Sequence, residues 1–219
     1  MLTTSNIATK LKNDVIHGNF VTDKTGAKTV EIIGASFCAD APAIFGEPNE
    51  AYINCELDWY RSESTNINDI YPDKTPPAAW KYAADKYGNI NSNYGKLIYS
   101  EQYNHQYVSA MCELKRNRDS RRAVMIYNRP SIWTEYNNNG MSDFICTNAV
   151  SYHIRDNDLY VTVQMRSNDA VFGYKNDYAW QQYVANELKK DLGDINNIYM
   201  YWQVQSLHLY ERHFDLIGE

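Results

Sequence analysis

The sequence predicts an α+β fold, a mixed β-sheet flanked by helices. Several stretches space their apolar residues at helical intervals, and others are β-branched runs with period-two alternation. The two kinds follow one another in irregular order without an internal repeat, which fits a mixed sheet better than a regular series of parallel units. At 219 residues the chain fits one domain, 1–219, with a single core.

In chain order, residues 5–17 place Ile7, Leu11 and Val15 on one helical face and end at Gly18-Asn19. The next stretch, DKTGAKTVEIIG, has a Thr-Gly turn before a β-branched run. Such a turn either presents Lys24 and backbone N–H groups to an anion or is a hairpin corner with a solvated lysine. Residues 49–61 form a helix, mostly apolar on one side, with Glu56 beside that side. A carboxylate there either bonds locally or sits in a pocket that raises its pKa, the state a general acid/base needs. Pro72 and Pro76-Pro77 punctuate a connection, and Pro77 is placed to open a helix through Trp80 and Tyr82 to Gly88. NINSNYG then makes a polar corner ending near Tyr94.

Residues 101–116 read as a helix that ends in KRNRDSRR, so Arg121 and Arg122 lead directly into the strand-like AVMIYN. After an Asn-rich connection at 136–140, residues 141–148 deliver Cys146. Two strands, AVSYHIR and DLYVTVQMRS, are joined by a D-N-D turn, with Val161, Val163 and Met165 alternating against Tyr160, Thr162 and Gln164. A helix from about 177 to 190 buries Trp180, Tyr183, Val184 and Leu188, with Asp177 at its start. The last strand, IYMYWQVQSLHLY, puts His208 and Tyr210 on one side because they are two apart.

The formal charge of −6 argues against a protein that coats nucleic acid, and no DNA binding is expected. Cys38, Cys55, Cys112 and Cys146 form no CxxC pair and no metal-type cluster with the five histidines, so reduced thiols and no metal are expected. No apolar run approaches the ~20 residues of a membrane span, and the N-terminus lacks a signal-peptide core, so a soluble, cytoplasmic protein is expected.

Cys146 becomes a nucleophile only as thiolate, which needs polar or cationic neighbours; otherwise it is a small core residue. Arg166 and Ser167 are suited to grip a phosphate.

Cys146, QMRSND at 164–169, GYKND at 173–177 and SLHLYERHF at 206–214 together resemble the thymidylate synthase superfamily. Within it the chain is most similar to the phage deoxycytidylate (dCMP) hydroxymethylase branch. DKTGAKTVEIIGASF, ELDWY, GNINSNYG, DSRRAVMIYNRPS and GMSDFICTN extend the similarity over nearly the whole length.

The resemblance implies the thymidylate synthase fold, with sheets packed back to back in a homodimer. It implies Cys146 as nucleophile on the pyrimidine, Glu56 acting through water on the ring, and Asp177 as reader of the base. Lys24, Arg166, Ser167 and Asp169 would serve the substrate, with Arg121 and Arg122 reaching the partner's nucleotide phosphate. His208 and Tyr210 would hold the sugar, and Tyr94 would join the polar network near the cysteine. Trp80, Asp169 and Gly173 would face the co-substrate, 5,10-methylenetetrahydrofolate.

Asp177 where uridylate-specific relatives carry asparagine points to cytosine. Phe144-Ile145 before the cysteine and Thr147 after it depart from the methylating pattern. Transfer of a one-carbon unit to C5 of dCMP with water as final acceptor is therefore expected, in a phage enzyme of the host cytoplasm. Association with other phage nucleotide-precursor enzymes is left open. Superfamily members extend past the last motif into a tail over the cofactor, whereas this chain stops at Glu219. Its site is expected to be capped differently, or the sequence is shortened. dCMP methylation, dUMP hydroxymethylation, a nucleotide- or RNA-binding regulator and a structural phage protein stand as alternatives.

Overall fold

A computed structural model describes residues 1–23, 25–71 and 74–218. Lys24, expected to meet a phosphate, and Pro72, expected to punctuate a connection, lie outside the described residues. In chain order the elements are β1 (Leu2–Thr3), α1 (Thr4–Ile16), β2 (Val21–Thr22), β3 (Lys28–Cys38), α2 (Glu50–Arg61), α3 (Ala78–Ala83) and α4 (Tyr94–Tyr99). They continue with α5 (Gln106–Arg116), β4 (Val124–Ile126), α6 (Ile132–Glu135), β5 (Thr147–Arg155), β6 (Asp158–Met165), β7 (Asn168–Asp169), α7 (Phe172–Leu192) and β8 (Ile198–Tyr210). The strands form a mixed sheet of eight, as the irregular order of elements predicts.

The chain divides into two compact units, residues 1–48 with 152–219, and residues 49–151. In the first, β8 is the central strand. It pairs antiparallel with β3, from Thr29 opposite Tyr210 to Cys38 opposite Tyr201, and parallel with β6, from Leu159 opposite Ile198 to Met165 opposite Val204. Helix α1 opens with a capping box between Thr3 and Asn6 and buries Ile7 and Leu11. Full burial of side chains this size stabilises by about 1.5–3 kcal/mol each.

Alternation along β3 and β8 is not uniform. Val30 and Ile32 are buried, then Ile33 and Gly34 are both exposed, and Ala35 and Phe37 resume burial one residue out of phase. Gly34 has φ of +69°, a backbone state that glycine adopts without strain and that reverses the facing of the residues beyond it. β8 shifts phase opposite this point: Met200, Trp202 and Val204 are buried, then Leu207 and Leu209. His208 and Tyr210 therefore lie off the core face, although strict alternation from Trp202 would put them on it.

In the second unit, α2 buries Ile53, Glu56, Trp59 and Tyr60. Asn93 is fully buried and ties three pieces together, donating to the carbonyls of Trp59 (3.1 Å) and Ser64 (2.7 Å) while its Oδ1 caps α4 at the Lys96 N–H (2.8 Å). β4 pairs antiparallel with the start of β5, Val124 opposite Ser151.

Three predicted helices differ from those observed. The one opened by Pro77 ends at Ala83 because Asp85 turns the chain, its Oδ1 accepting from the Tyr87 and Asn89 N–H groups at 2.8 Å each. The helix predicted over 101–116 is a short turn, Glu101–Tyr103, and then α5, because Asn104 and His105 both have positive φ. The helix carrying Asp177 begins at Phe172, so Asp177 sits in its second turn, not ahead of it. Among the described residues no helix is long and apolar enough to cross a membrane.

Gly95 in α4 is pressed so closely on α2 that an added Cβ would lie 1.8 Å from the Tyr60 carbonyl oxygen. Gly95→Ala is therefore expected to destabilise the protein by about 3 kcal/mol, read as a lower urea midpoint with an unchanged slope. A wild-type midpoint would contradict this packing.

Candidate active site

In the second unit, the segment bearing Cys146 is anchored three residues upstream. The Asp143 carboxylate, buried, accepts from the N–H groups of Asn91 (2.6 Å) and Ser92 (2.8 Å) and from the Ser92 hydroxyl (2.6 Å). Asn91 Nδ2 in turn donates to the Asp143 carbonyl at 3.1 Å. Charge-assisted bonds of this kind are stronger than neutral ones, so the approach to β5 is held rigidly. Cys146 comes next, half-buried, its Sγ 3.9 Å from the Phe144 carbonyl oxygen, and all four cysteines are free thiols.

Glu56 lies one helical turn after Tyr52 on the buried side of α2. The Tyr52 hydroxyl donates to Glu56 Oε1, and Trp80 Nε1 from α3 donates to both the Tyr52 oxygen and Glu56 Oε1 at 3.0 Å. Burial pushes the Glu56 carboxyl above its ordinary range, and the Tyr52 and Trp80 bonds only partly oppose this. Glu56 is buried and also bonds locally, to Tyr52 one turn back along its own helix. Trp80 is half-buried and packs edge-on to Trp59 at 5.2 Å.

Tyr94, buried, stacks on Tyr60 at 5.4 Å and meets Tyr127 edge-on at 5.2 Å. Arg121 and Arg122 are exposed on the loop before β4, where Arg122 pairs with Glu113 at 3.1 Å.

In the first unit, β7 continues the register of β6 against β8, with Asn168 opposite Leu207 and Asp169 opposite His208. Arg166 and Ser167 fall in the interruption between the two strands. The backbone there turns to the Ser206 N–H, which donates to the Arg166 carbonyl at 3.2 Å. His208 is held below the usual imidazole range by burial, partly offset by Asp169, and its ring meets Tyr210 edge-on at 4.9 Å.

Asp177 is oriented by a relay. Trp202 Nε1 donates to Asn168 Oδ1 at 3.1 Å, and Asn168 Nδ2 donates to Asp177 Oδ2 at 2.7 Å. An indole nitrogen only donates, so the Asn168 amide has one sense: oxygen to Trp202, amino group to Asp177. Gly173 makes room for this, since a Cβ there would stand 3.0 Å from Asn168 Nδ2 and 3.9 Å from Asp177 Oδ2.

Residues 9–219 match the family model described as thymidylate synthase. The chain belongs to the thymidylate synthase family. It is 54% identical over 205 residues to the deoxycytidylate 5-hydroxymethyltransferase of Enterobacteria phage T4, covering 91% of this chain and 82% of the relative, and equally similar to that of Enterobacteria phage T6. A thymidylate synthase of Buchnera aphidicola subsp. Schizaphis graminum is 24% identical over 222 residues, covering 94% of this chain and 79% of the relative.

Against this family background, the structure pairs Glu56 with Trp80, Asp169 with His208, His208 with Tyr210, and Gly173 with Asp177. The sequence reading passed over Tyr52, Asp143, Asn168 and Trp202. Tyr52 was legible from its four-residue spacing to Glu56. Asp143 and the Trp202–Asn168 pair depend on partners 34 to 52 residues away, which spacing does not reveal.

The folded protein holds Glu56 above the unfolded value of 4.5, so the folded state binds more protons than the unfolded state as pH rises past that value. Glu56 therefore costs stability that is absent at low pH, grows as pH rises above the unfolded value of 4.5 and levels off above the folded pKa. Glu56→Gln, which keeps an acceptor for Tyr52 and Trp80, is expected to gain stability relative to wild type as pH rises above 4.5, measured by urea unfolding. A difference independent of pH would refute the burial of an ionisable acid there.

Proposed function

We propose that the protein is a deoxycytidylate 5-hydroxymethyltransferase, which converts dCMP, 5,10-methylenetetrahydrofolate and water to 5-hydroxymethyl-dCMP and tetrahydrofolate. The observation that carries the reading is Asp177 with its Oδ2 held by an Asn168 donor whose direction Trp202 fixes. A carboxylate in that setting offers acceptors only. Cytosine presents a 4-amino donor and, once N3 is protonated, an N3–H donor beside it, and both match. Uracil presents an O4 acceptor, which would face a carboxylate oxygen without a proton between them. Such a mismatch leaves buried polar groups unpaired and discriminates by ~10⁴ or more. The phage relatives named above support the same assignment.

The chemistry begins with the Cys146 thiolate adding to C6 of the ring. The S–C6 bond forms, and the C5–C6 π electrons move onto C5, which becomes a nucleophile. The folate co-substrate supplies a one-carbon unit at the oxidation level of formaldehyde. Trp80 beside Glu56 is the wall against which its pterin ring would stack. After C5 takes up that unit, its proton is lost and tetrahydrofolate would leave with the electron pair of its N–C bond, giving an exocyclic methylene. Water adds there, its oxygen forming the new C–O bond and giving up one proton, and Cys146 leaves with the S–C6 electron pair as the C5–C6 double bond re-forms. Hydroxymethyl is also at the formaldehyde level, so no hydride is transferred and no redox partner is consumed. Glu56, with a pKa raised by burial, is suited to exchange protons with ordered water at the ring.

Arg166 and Ser167, at the break between β6 and β7, are assigned to the nucleotide phosphate, with His208 and Tyr210 on the sugar and Asp169 supporting His208. Arg121 and Arg122 are exposed, as arginines that reach a second copy's phosphate in a homodimer must be. The place of action is the host cytoplasm, where dCMP and reduced folate are found together with the phage's other nucleotide-precursor enzymes.

The test is tritium release from [5-³H]dCMP and from [5-³H]dUMP with methylenetetrahydrofolate, with mass analysis of the nucleotide formed. Release from dCMP with a hydroxymethyl product is expected, and Cys146→Ala abolishes it while still binding dCMP. Release from dUMP alone, or a methyl product, would refute the assignment.

A further inference from the structure

We propose that Tyr52 is a positioning residue for Glu56: together with Trp80 it occupies Oε1, so that Oε2 is the atom through which Glu56 gives and takes its proton. The inference rests on the reading of Glu56 as the residue that handles protons, and it assigns a role to a tyrosine that the family resemblance leaves without one.

The geometry determines the direction of every bond in the cluster. Trp80 Nε1 carries a hydrogen and no acceptor orbital, so it donates to the Tyr52 oxygen and to Glu56 Oε1, 3.0 Å from each. With its oxygen already accepting from Trp80, the Tyr52 hydroxyl turns its own hydrogen to Glu56 Oε1. Oε1 thus faces two donors. A proton placed on it would be driven against both, so the neutral acid carries its hydrogen on Oε2. Among the described residues, no protein donor meets Oε2. Both oxygens therefore have fixed and different tasks in either protonation state.

Tyr52 is itself held in place. Its N–H is capped by Asn49 Oδ1 at 3.1 Å, and its ring packs at 6.0 Å from that of Tyr71. Its hydroxyl is pushed far above the ordinary phenol range by burial and by the nearby Glu56 carboxylate, so it stays a donor at every working pH. The titratable groups facing Glu56 are Tyr52 from its own helix and Tyr71 from the connection after it. Burial raises the Tyr71 hydroxyl, with smaller contributions from Cys55 and then Glu56. Burial and the two donors at Oε1 set the state of Glu56 itself. A hydrogen bond to the charged form favours that form, so removing the Tyr52 donor makes the proton harder to lose.

The experiment tracks the Trp80 indole ¹⁵N–¹H resonance, assigned by its loss in Trp80→Phe, through a pH titration. In wild type the resonance moves with Glu56 ionisation, and in Glu56→Gln that movement disappears. In Tyr52→Phe the midpoint is expected to move to higher pH. 3-Fluorotyrosine installed at position 52 is a stronger donor and is expected to move it to lower pH. Opposite shifts from two near-isosteric changes are not produced by a merely structural role, and the second variant keeps the hydroxyl should the first fold poorly. In turnover, Tyr52→Phe is expected to lower kcat by roughly tenfold or more with KM for dCMP unchanged. A midpoint that stays in place in both variants, or a wild-type kcat in Tyr52→Phe, would overturn the proposal. Failure of the wild-type protein to release tritium from dCMP, with the Trp80 titration and its opposite shifts intact, would instead overturn the reaction assigned above and leave Tyr52 as the group that orients Glu56.

Discussion

A tryptophan indole nitrogen can donate a hydrogen bond and cannot accept one, and the two carboxylates assigned to the chemistry are both oriented by that asymmetry. In residues 152–219 with 1–48, Trp202 forces the Asn168 amide to present its amino group to Asp177. In residues 49–151, Trp80 forces the Tyr52 hydroxyl to donate to Glu56. Each carboxylate has one oxygen held by a donor of fixed direction.

The sheet serves these side chains through its irregularities. Gly34 shifts the alternation of β3, and the matching shift in β8 brings Leu207 and Leu209 into the core while moving His208 and Tyr210 to the other face. The interruption between β6 and β7 spares Arg166 and Ser167 from the ladder, yet the register resumes at Asn168, so Asp169 falls opposite His208. A uniform strand would have buried the histidine among Met200, Trp202 and Val204. Irregular backbone at these positions is consistent with functional sites being where local rules yield.

Long periodic elements were legible in the sequence, and short or interrupted ones were not. The helix at 5–17, the helix from 49 to 61, the hairpin of β5 and β6 and the last strand all follow from apolar spacing, and each is found within a few residues of its expected place. The start of α7 was read five residues late, and its first turn carries Gly173, whose missing side chain lets Asn168 approach Asp177. The break at Asn104-His105 lies in polar sequence without a hydrophobic period, and α4, six residues long, is too short to show one. For the site, Cys146, Glu56 and Asp177 stood out through family likeness, while spacing alone left each with a bland alternative. Asp143 and Asn168 were hidden because what they do depends on partners brought close only by folding.

The account's central claim is that residue 177 reads the base by the donors and acceptors it can offer once Asn168 has claimed one of its oxygens. The most direct measurement is the ratio of kcat/KM for dCMP to that for dUMP in Asp177→Asn, taken from tritium release at C5. In that variant the side-chain oxygen must face the Asn168 amino group, so the amide nitrogen turns to the base as a donor, which suits O4 of uracil and opposes the cytosine amino group. The ratio is expected to fall by about 10⁴ in favour of dUMP. A ratio equal to that of wild type would contradict the account.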